Sequence, residues 1–213
     1  MASGGQRWGR RVSRFVLALA SGNSGKLREL RDLLSDLPIE VDSASALGSV
    51  VYPEEGAEYV PNSIAKAQAA ATQLGCSAVA DDSGLEVDGL DGGPGPLSAR
   101  YGGPGLDDQG RVDHLLSELA RRPSASRQAR FVCVASFVSL DGQVYTERGE
   151  CPGRILLEPK GEGGFGYDPV FEPEGYSRSM AELQPAEKQA ISHRGRALAL
   201  LRSAIEAGLG LGA

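Results

Sequence analysis

Two adjacent carboxylates, Asp81 and Asp82, run directly into Ser83 and Gly84, and they are the residues of this chain best suited to chemistry. Neighbouring acids repel, so a fold gains little by placing them together unless something positive lies beside them. A hard cation would serve, because Mg²⁺ takes oxygen ligands and commonly uses one or two carboxylates plus phosphate oxygens. The plainer alternative is a solvated turn, since the apolar run Ala78-Val79-Ala80 just before them reads as a strand end. Glu54 and Glu55 follow Pro53 in a polar stretch. They form a solvated acidic loop, or one of them joins Asp82 on a metal.

Three other stretches carry candidate binding groups. Ser21-Gly22-Asn23-Ser24-Gly25-Lys26 resembles a phosphate loop but fails as a Walker A motif, because Ala20 stands where its first glycine belongs and Leu27 follows the lysine. Gly22 and Gly25 still let a backbone approach an anion, Asn23 can cap or donate, and Lys26 adds a positive charge in a first helical turn. An ordinary strand-to-helix turn is the alternative. Phe165 and Tyr167 stand among glycines in residues 163 to 169. Aromatics there either fold back on the core or meet a flat ligand such as a purine. Lys188, Ser192, His193 and Arg194 crowd a predicted helix start, either as a solvated face or as a donor cluster.

The elements that must position these groups are legible from periodicity. Phe15 to Ala20 predicts a buried strand, and Leu27, Leu30, Leu34 and Leu37 a helix closed by Pro38. That strand, glycine turn and helix would point free N–H groups at an anion. Ser63 to Leu74 predicts an alanine-rich helix with Pro61 at or near its first turn and Gly75 past its end. Ala78 to Leu90 predicts strand, turn, strand, and Asp91 to Gly105 a surface loop. Val112, Leu115, Leu116 and Leu119 predict an amphipathic helix. Phe131 to Leu140 predicts a strand turning at Asp141-Gly142 into a partner over Gln143 to Arg148. Glu158 to Gly166 predicts a second glycine-rich loop. Ser179 and Glu182 form a capping-box pair, and Ala186 to Ala207 predicts one long helix.

The bulk properties narrow the function classes. A chain of 213 residues, 41% apolar and 23% charged, suits one globular domain with a full core. A net charge of −6 argues against a nucleic-acid binder, though not against a nucleotide substrate. Three separated cysteines form no disulfide framework, which implies reduced thiols and a cytoplasmic protein, and two histidines make a zinc site a poor expectation. Arg10 and Arg11 precede an apolar run too short for a signal peptide or a membrane span. Residues 1 to 14 are therefore expected to be a flexible leader, and residues 15 to 213 a single domain.

The blocks SGNSGK, ADDSGLEVDGLDGGPGPLSARYGG, GGFGYDPVFEPEG and EKQAISHRGRAL, in this order and spacing, closely resemble the inosine triphosphate pyrophosphatase family. The resemblance covers about residues 15 to 206. It implies Mg²⁺-dependent hydrolysis of nonstandard purine nucleoside triphosphates (ITP, dITP and XTP) between the α- and β-phosphates, giving a monophosphate and pyrophosphate. It further implies an elongated α/β fold with a long mixed sheet, two lobes and a central cleft, and assembly as a homodimer. By the same resemblance Ser21, Gly22, Asn23, Ser24, Gly25 and Lys26 hold the triphosphate. Asp82 is the metal-linked catalytic acid, Glu54 the second metal ligand, Asp81 a supporting acid and Ser83 a substrate contact. Phe165, Gly166, Tyr167 and Asp168 would form the purine platform, and Lys188, His193 and Arg194 would read the base. The chain departs from the pattern in three places. Pro61 stands before Asn62 where members usually carry Glu, Ser21 replaces Thr, and residues 1 to 14 have no counterpart. Two other classes fit less of the sequence: a pyrophosphatase acting on modified pyrimidines, and a nucleotide-binding regulator without turnover.

Overall fold

A computed structural model describes residues 15 to 211; the expected leader, residues 1 to 14, lies outside them. The seven strands are β1 (Phe15–Leu19), β2 (Ile39–Ser43), β3 (Ser77–Val87), β4 (Pro94–Gly95), β5 (Gln128–Val138), β6 (Val144–Ile155) and β7 (Phe171–Pro173). Six α-helices accompany them: α1 (Ser24–Leu33), α2 (Ala44–Leu47), α3 (Tyr59–Leu74), α4 (Asp108–Ala120), α5 (Pro185–Ala190) and α6 (His193–Gly208).

All seven strands form one mixed sheet, in the order β2-β1-β3-β5-β6-β7, with β4 attached to β3. β1, β2 and β3 run parallel, and the chain from β3 through β7 is antiparallel. The α/β fold with a mixed sheet and flanking helices is as the sequence implied. The hairpin at Asp141-Gly142 is present too, with β6 continuing past the expected end at Arg148 to Ile155. Among the described residues no helix is long and apolar enough to cross a membrane.

The strand period of two decides what β3 faces. Ala78 and Ala80 turn to the alanine-rich side of α3, meeting Ala67, Ala70 and Ala71. Small residues on both sides let this helix lie close to the sheet. Val79 turns to the opposite side, where Leu30, Leu34, Phe137, Leu201 and Ile205 form the core under α1 and α6. Further along β3, Leu85 and Val87 enter a separate cluster with Val112, Leu115, Val170 and Phe171, under α4. Asp81 and Ser83 fall between these two apolar clusters.

Two expectations are corrected. The acid pair does not end a strand: β3 is a single strand of 11 residues, and Asp81 to Gly84 lie inside it, each paired with β5. The long helix over Ala186 to Ala207 is two helices, because the Ser192 side chain caps α6 by accepting from the Gly195 N–H at 3.1 Å. The Ser179–Glu182 capping box is formed, but it closes a single 3₁₀ turn, Met180–Glu182.

Candidate active site

The partners of β3 leave a notch at the acid pair. On its β1 side the ladder ends at Leu19 opposite Val79, and pairing with β4 begins only at Leu85, opposite Gly95. The intervening residues, 80 to 84, have no strand along that edge. The end of β1 feeds directly into the turn Ser21 to Lys26, so the turn overhangs the carboxyl end of a parallel strand, where open α/β sheets bind ligands. Asn23 caps α1, its Oδ1 accepting from the N–H groups of Gly25 at 2.8 Å and Lys26 at 3.2 Å. Such a cap contributes about 1 kcal/mol and leaves the Asn23 Nδ2 free to donate.

The two acids face opposite sides of the sheet and meet different partners. Asp81 is held by Lys26 at 2.7 Å, by Arg194 at 3.3 Å and by the Ser83 hydroxyl at 3.0 Å. Burial pushes its carboxyl upward, but the charges of Lys26 and Arg194 and the hydrogen bonds from Lys26 and Ser83 hold it well below the ordinary carboxylate range. Glu29 braces Arg194 from its other side at 3.2 Å. Asp82 instead accepts from the Asn62 amide at 2.8 Å, with Lys66 at 3.7 Å. Its carboxyl is raised, chiefly by burial and also by Glu55 and Asp81, against the opposing Asn62 hydrogen bond and Lys66 charge. A raised carboxyl holds a proton better than an ordinary Asp, which suits general-base work.

Asn62 and Lys66 were absent from the sequence expectations. They are four residues apart on α3, hence on one face of that helix. Lys66 also pairs with Glu55 at 2.6 Å, so one ammonium bridges Glu55 and Asp82. Glu54, the expected second metal ligand, is exposed and makes no hydrogen bond or ion pair among the described residues. No group of three or more His, Cys, Asp or Glu side chains is placed to cage a metal among the described residues. The donors do fit Mg²⁺, which keeps water and phosphate ligands and needs only one or two carboxylates from protein.

On the Asp81 side a groove of about 620 Å³ runs between the two cores, from Gly25, Ser83 and Arg194 to Phe165, Asp168 and Lys188. At its far end the two aromatics part. Tyr167 folds into the core and donates to the Ser98 carbonyl at 2.9 Å, whereas Phe165 is 63% exposed. The Lys188 ammonium lies 4.6 Å from the Phe165 ring centre and pairs with Asp168. Asp168 also accepts from the Phe165 N–H at 2.9 Å. Gly164 makes this packing possible: it sits at φ +76°, and a Cβ there would lie 2.1 Å from the Asp168 carboxylate. Of the expected base-reading residues, Lys188 lies at the Phe165 end, while Arg194 lies beside Lys26 at the acid end.

His193 stacks on Phe131, ring centres 5.3 Å apart and 15° from parallel. Gly149 lets the start of α6 approach the sheet, since a Cβ would lie 2.1 Å from the His193 carbonyl. Burial, then the Arg194 charge, pull the imidazole from 6.5 to about 3, against the opposing Asp81. The unfolded chain therefore takes up a proton near 6.5 that the folded protein refuses. This makes stability full above that pH and lost on acidification, by about 1.4 kcal/mol per pH unit. Between pH 6.5 and 5 the expected loss from this residue is about 2 kcal/mol. Urea unfolding at several pH values checks it: His193→Gln should flatten this part of the profile, and parallel profiles for both proteins would refute it.

Comparison with known proteins adds a family and close relatives. The model of the Ham1 family matches residues 17 to 204. A dITP/XTP pyrophosphatase of Deinococcus deserti is 49% identical over 194 residues, covering 91% of this chain and 90% of that protein. One from Mycobacterium bovis is 48% identical over 193 residues, covering 89% and 94%. The solved structure of a HAM1 protein from Coxiella burnetii superposes with a TM-score of 0.85 at 40% identity, over 91% of this chain and 99% of that one.

Proposed function

The chain belongs to the Ham1 family, and on that premise we propose that it is a nucleoside triphosphate pyrophosphatase that clears deaminated purine nucleotides. It hydrolyses nonstandard purine triphosphates of the ITP, dITP and XTP type to the monophosphate and pyrophosphate. The observation that carries this reading is the groove joining a charged notch at Asp81, Lys26 and Arg194 to an exposed ring at Phe165 with an ammonium above it. A triphosphate suits the first end and a flat base the second.

In this reading Lys26, the Asn23 amide and the backbone of residues 21 to 25 receive the phosphates. The unpaired edge of β3 adds amide donors beside them. Asp82 orients the attacking water and takes its proton, and Asn62 and Lys66 fix the carboxylate that does so. Asp82 and Glu54 would hold Mg²⁺, which supplies charge neutralisation on the phosphates and lowers the pKa of bound water. Asp81 stays ionised and holds Lys26 and Arg194 in place.

At the base end Phe165 stacks on the purine and Lys188 donates to its 6-oxo group, with Ser83, Gly166, Tyr167, Asp168, His193 and Arg194 completing the groove. ATP would set its 6-amino donor against the Lys188 ammonium. Sites built to hydrogen-bond one partner can reject the mismatched one by roughly 10⁴-fold or more. A cytoplasmic homodimer completes the proposal; its support is the family resemblance, together with three free cysteines for the compartment.

The test is a panel of ITP, dITP, XTP, ATP and GTP with Mg²⁺, reading pyrophosphate separately from orthophosphate. ITP and XTP are expected to exceed ATP in kcat/KM by roughly 10²-fold or more, with activity abolished by chelation. Equal rates for ITP and ATP would remove the base-reading step, and binding without turnover would favour a regulator.

A further inference from the structure

Arg111 enters the groove from α4, a third wall beside those of Lys188 on α5 and Arg194 on α6. It belongs to none of the motifs singled out in the sequence. Its side chain is only 18% exposed, yet its Nε is enclosed and has no hydrogen-bond partner. Its one ion-pair partner among the described residues, Asp108, stands off at 4.0 Å through Oδ1, while Asp108 Oδ2 accepts from the Gly166 N–H at 2.7 Å. Lys26, Lys188 and Arg194 each have a carboxylate at 3.3 Å or closer. Among the described groove cations Arg28 also lacks a partner but is exposed, whereas Arg111 combines low exposure with an unpartnered, enclosed nitrogen. A buried donor without an acceptor is costly, and a guanidinium offers five N–H groups in a rigid fork. The fold therefore keeps a donor set at the base end that the protein itself does not satisfy.

The location decides which acceptor it wants. The start of α4 is tied to the Phe165–Asp168 turn through Asp108 and Gly166. The Arg111 charge also acts on the Tyr167 hydroxyl, partly opposing the upward shift that burial imposes there. So Arg111 lies at the Phe165 end of the groove, not at the Asp81 end. Given the reading above, on which this inference rests, Lys188 takes the 6-oxo group, and C2 lies one ring atom beyond the neighbouring N1. Purines of this class differ at C2: xanthine carries an oxygen, hypoxanthine a hydrogen and guanine an amino donor.

We propose that Arg111 is a specificity residue that reads C2 of the purine, donating to the 2-oxo group of xanthine and opposing the 2-amino group of guanine. Xanthine supplies the missing acceptor, hypoxanthine leaves the donors as they are, and guanine sets donor against donor. The exclusion of GTP, which shares the 6-oxo group with ITP, then has a physical source.

Binding of XMP, IMP and GMP by calorimetry, with kcat/KM for XTP, ITP and GTP, tests it on wild type, Arg111→Met and Arg111→Lys. The ratio of XMP to IMP affinity is expected to fall roughly ten- to a hundredfold in Arg111→Met, and the GMP to IMP ratio to rise. Arg111→Lys, which keeps the charge without the fork, should lie between, and also serves if the methionine variant does not fold. Unchanged ratios, or equal losses for XMP and IMP, would overturn the assignment. A wild type that binds and hydrolyses none of these nucleotides would overturn the underlying reading instead.

Discussion

Replacing Asp82 with asparagine lowers kcat by roughly 10³-fold while leaving the thermal midpoint close to that of the wild type. The fold should hold because asparagine matches the carboxylate in volume and keeps an oxygen for the Asn62 amide, which now donates at 2.8 Å. Lys66 keeps Glu55 at 2.6 Å, so no cation is stranded. Burial also penalises the carboxylate at this position, as its raised pKa shows, and the amide escapes that penalty. What disappears, in the proposed reading, is the group that would accept a proton from water, together with one negative ligand for Mg²⁺. Single-turnover pyrophosphate release beside a thermal melt separates the two effects. A rate within tenfold of wild type would remove Asp82 from the chemistry, and a large drop in melting temperature would make it a structural residue.

Why β3 was misread follows from the same residues. Two acids, a serine and a glycine in succession are a turn signal by local rules, because Asp and Gly are poor strand formers. The groups that make Asp81 tolerable inside a strand lie 55 and 113 residues away, on α1 and α6. No window along the chain contains them. By contrast β1, β5 and the alanine-rich α3 announce themselves through periodicity alone, because their partners are simply other apolar faces.

The break between α5 and α6 was hidden for a related reason. Ile191, Leu198, Leu201 and Ile205 keep a helical spacing across it, so the apolar stripe hides the interruption. The cue is Ser192, which is an N-cap in the fold but is equally at home in the sequence on a solvated helix face or in a donor cluster. Candidate site residues fared similarly. The stretches proposed to hold the phosphates and the base stand out by composition, whereas Asn62, Lys66 and Arg111 are single polar residues on otherwise ordinary helices. Their importance comes from what the tertiary fold puts opposite them.

The same substitution one residue earlier should do the opposite. Asp81→Asn is expected to cost about 3–5 kcal/mol of stability and to lower the thermal midpoint by about 10 °C. Asp81 is 4% exposed and receives Lys26, Arg194 and Ser83 on one oxygen. Neutralising it leaves two cations facing each other next to the Cys133 thiol, which is itself pushed up to about 12 by burial and by Asp81. Removing one partner of a buried pair costs far more than the pair contributes, because the survivor keeps its desolvation penalty. A double-mutant cycle makes the argument quantitative: Lys26→Met added to Asp81→Asn should restore part of the loss, since one stranded charge goes with it. In the proposed reading catalysis should fall as well, but through KM, because Lys26 and Arg194 lose the anchor that would aim them at the phosphates. If Asp81→Asn melted like wild type while kcat collapsed, the roles given to the two acids would have to be exchanged.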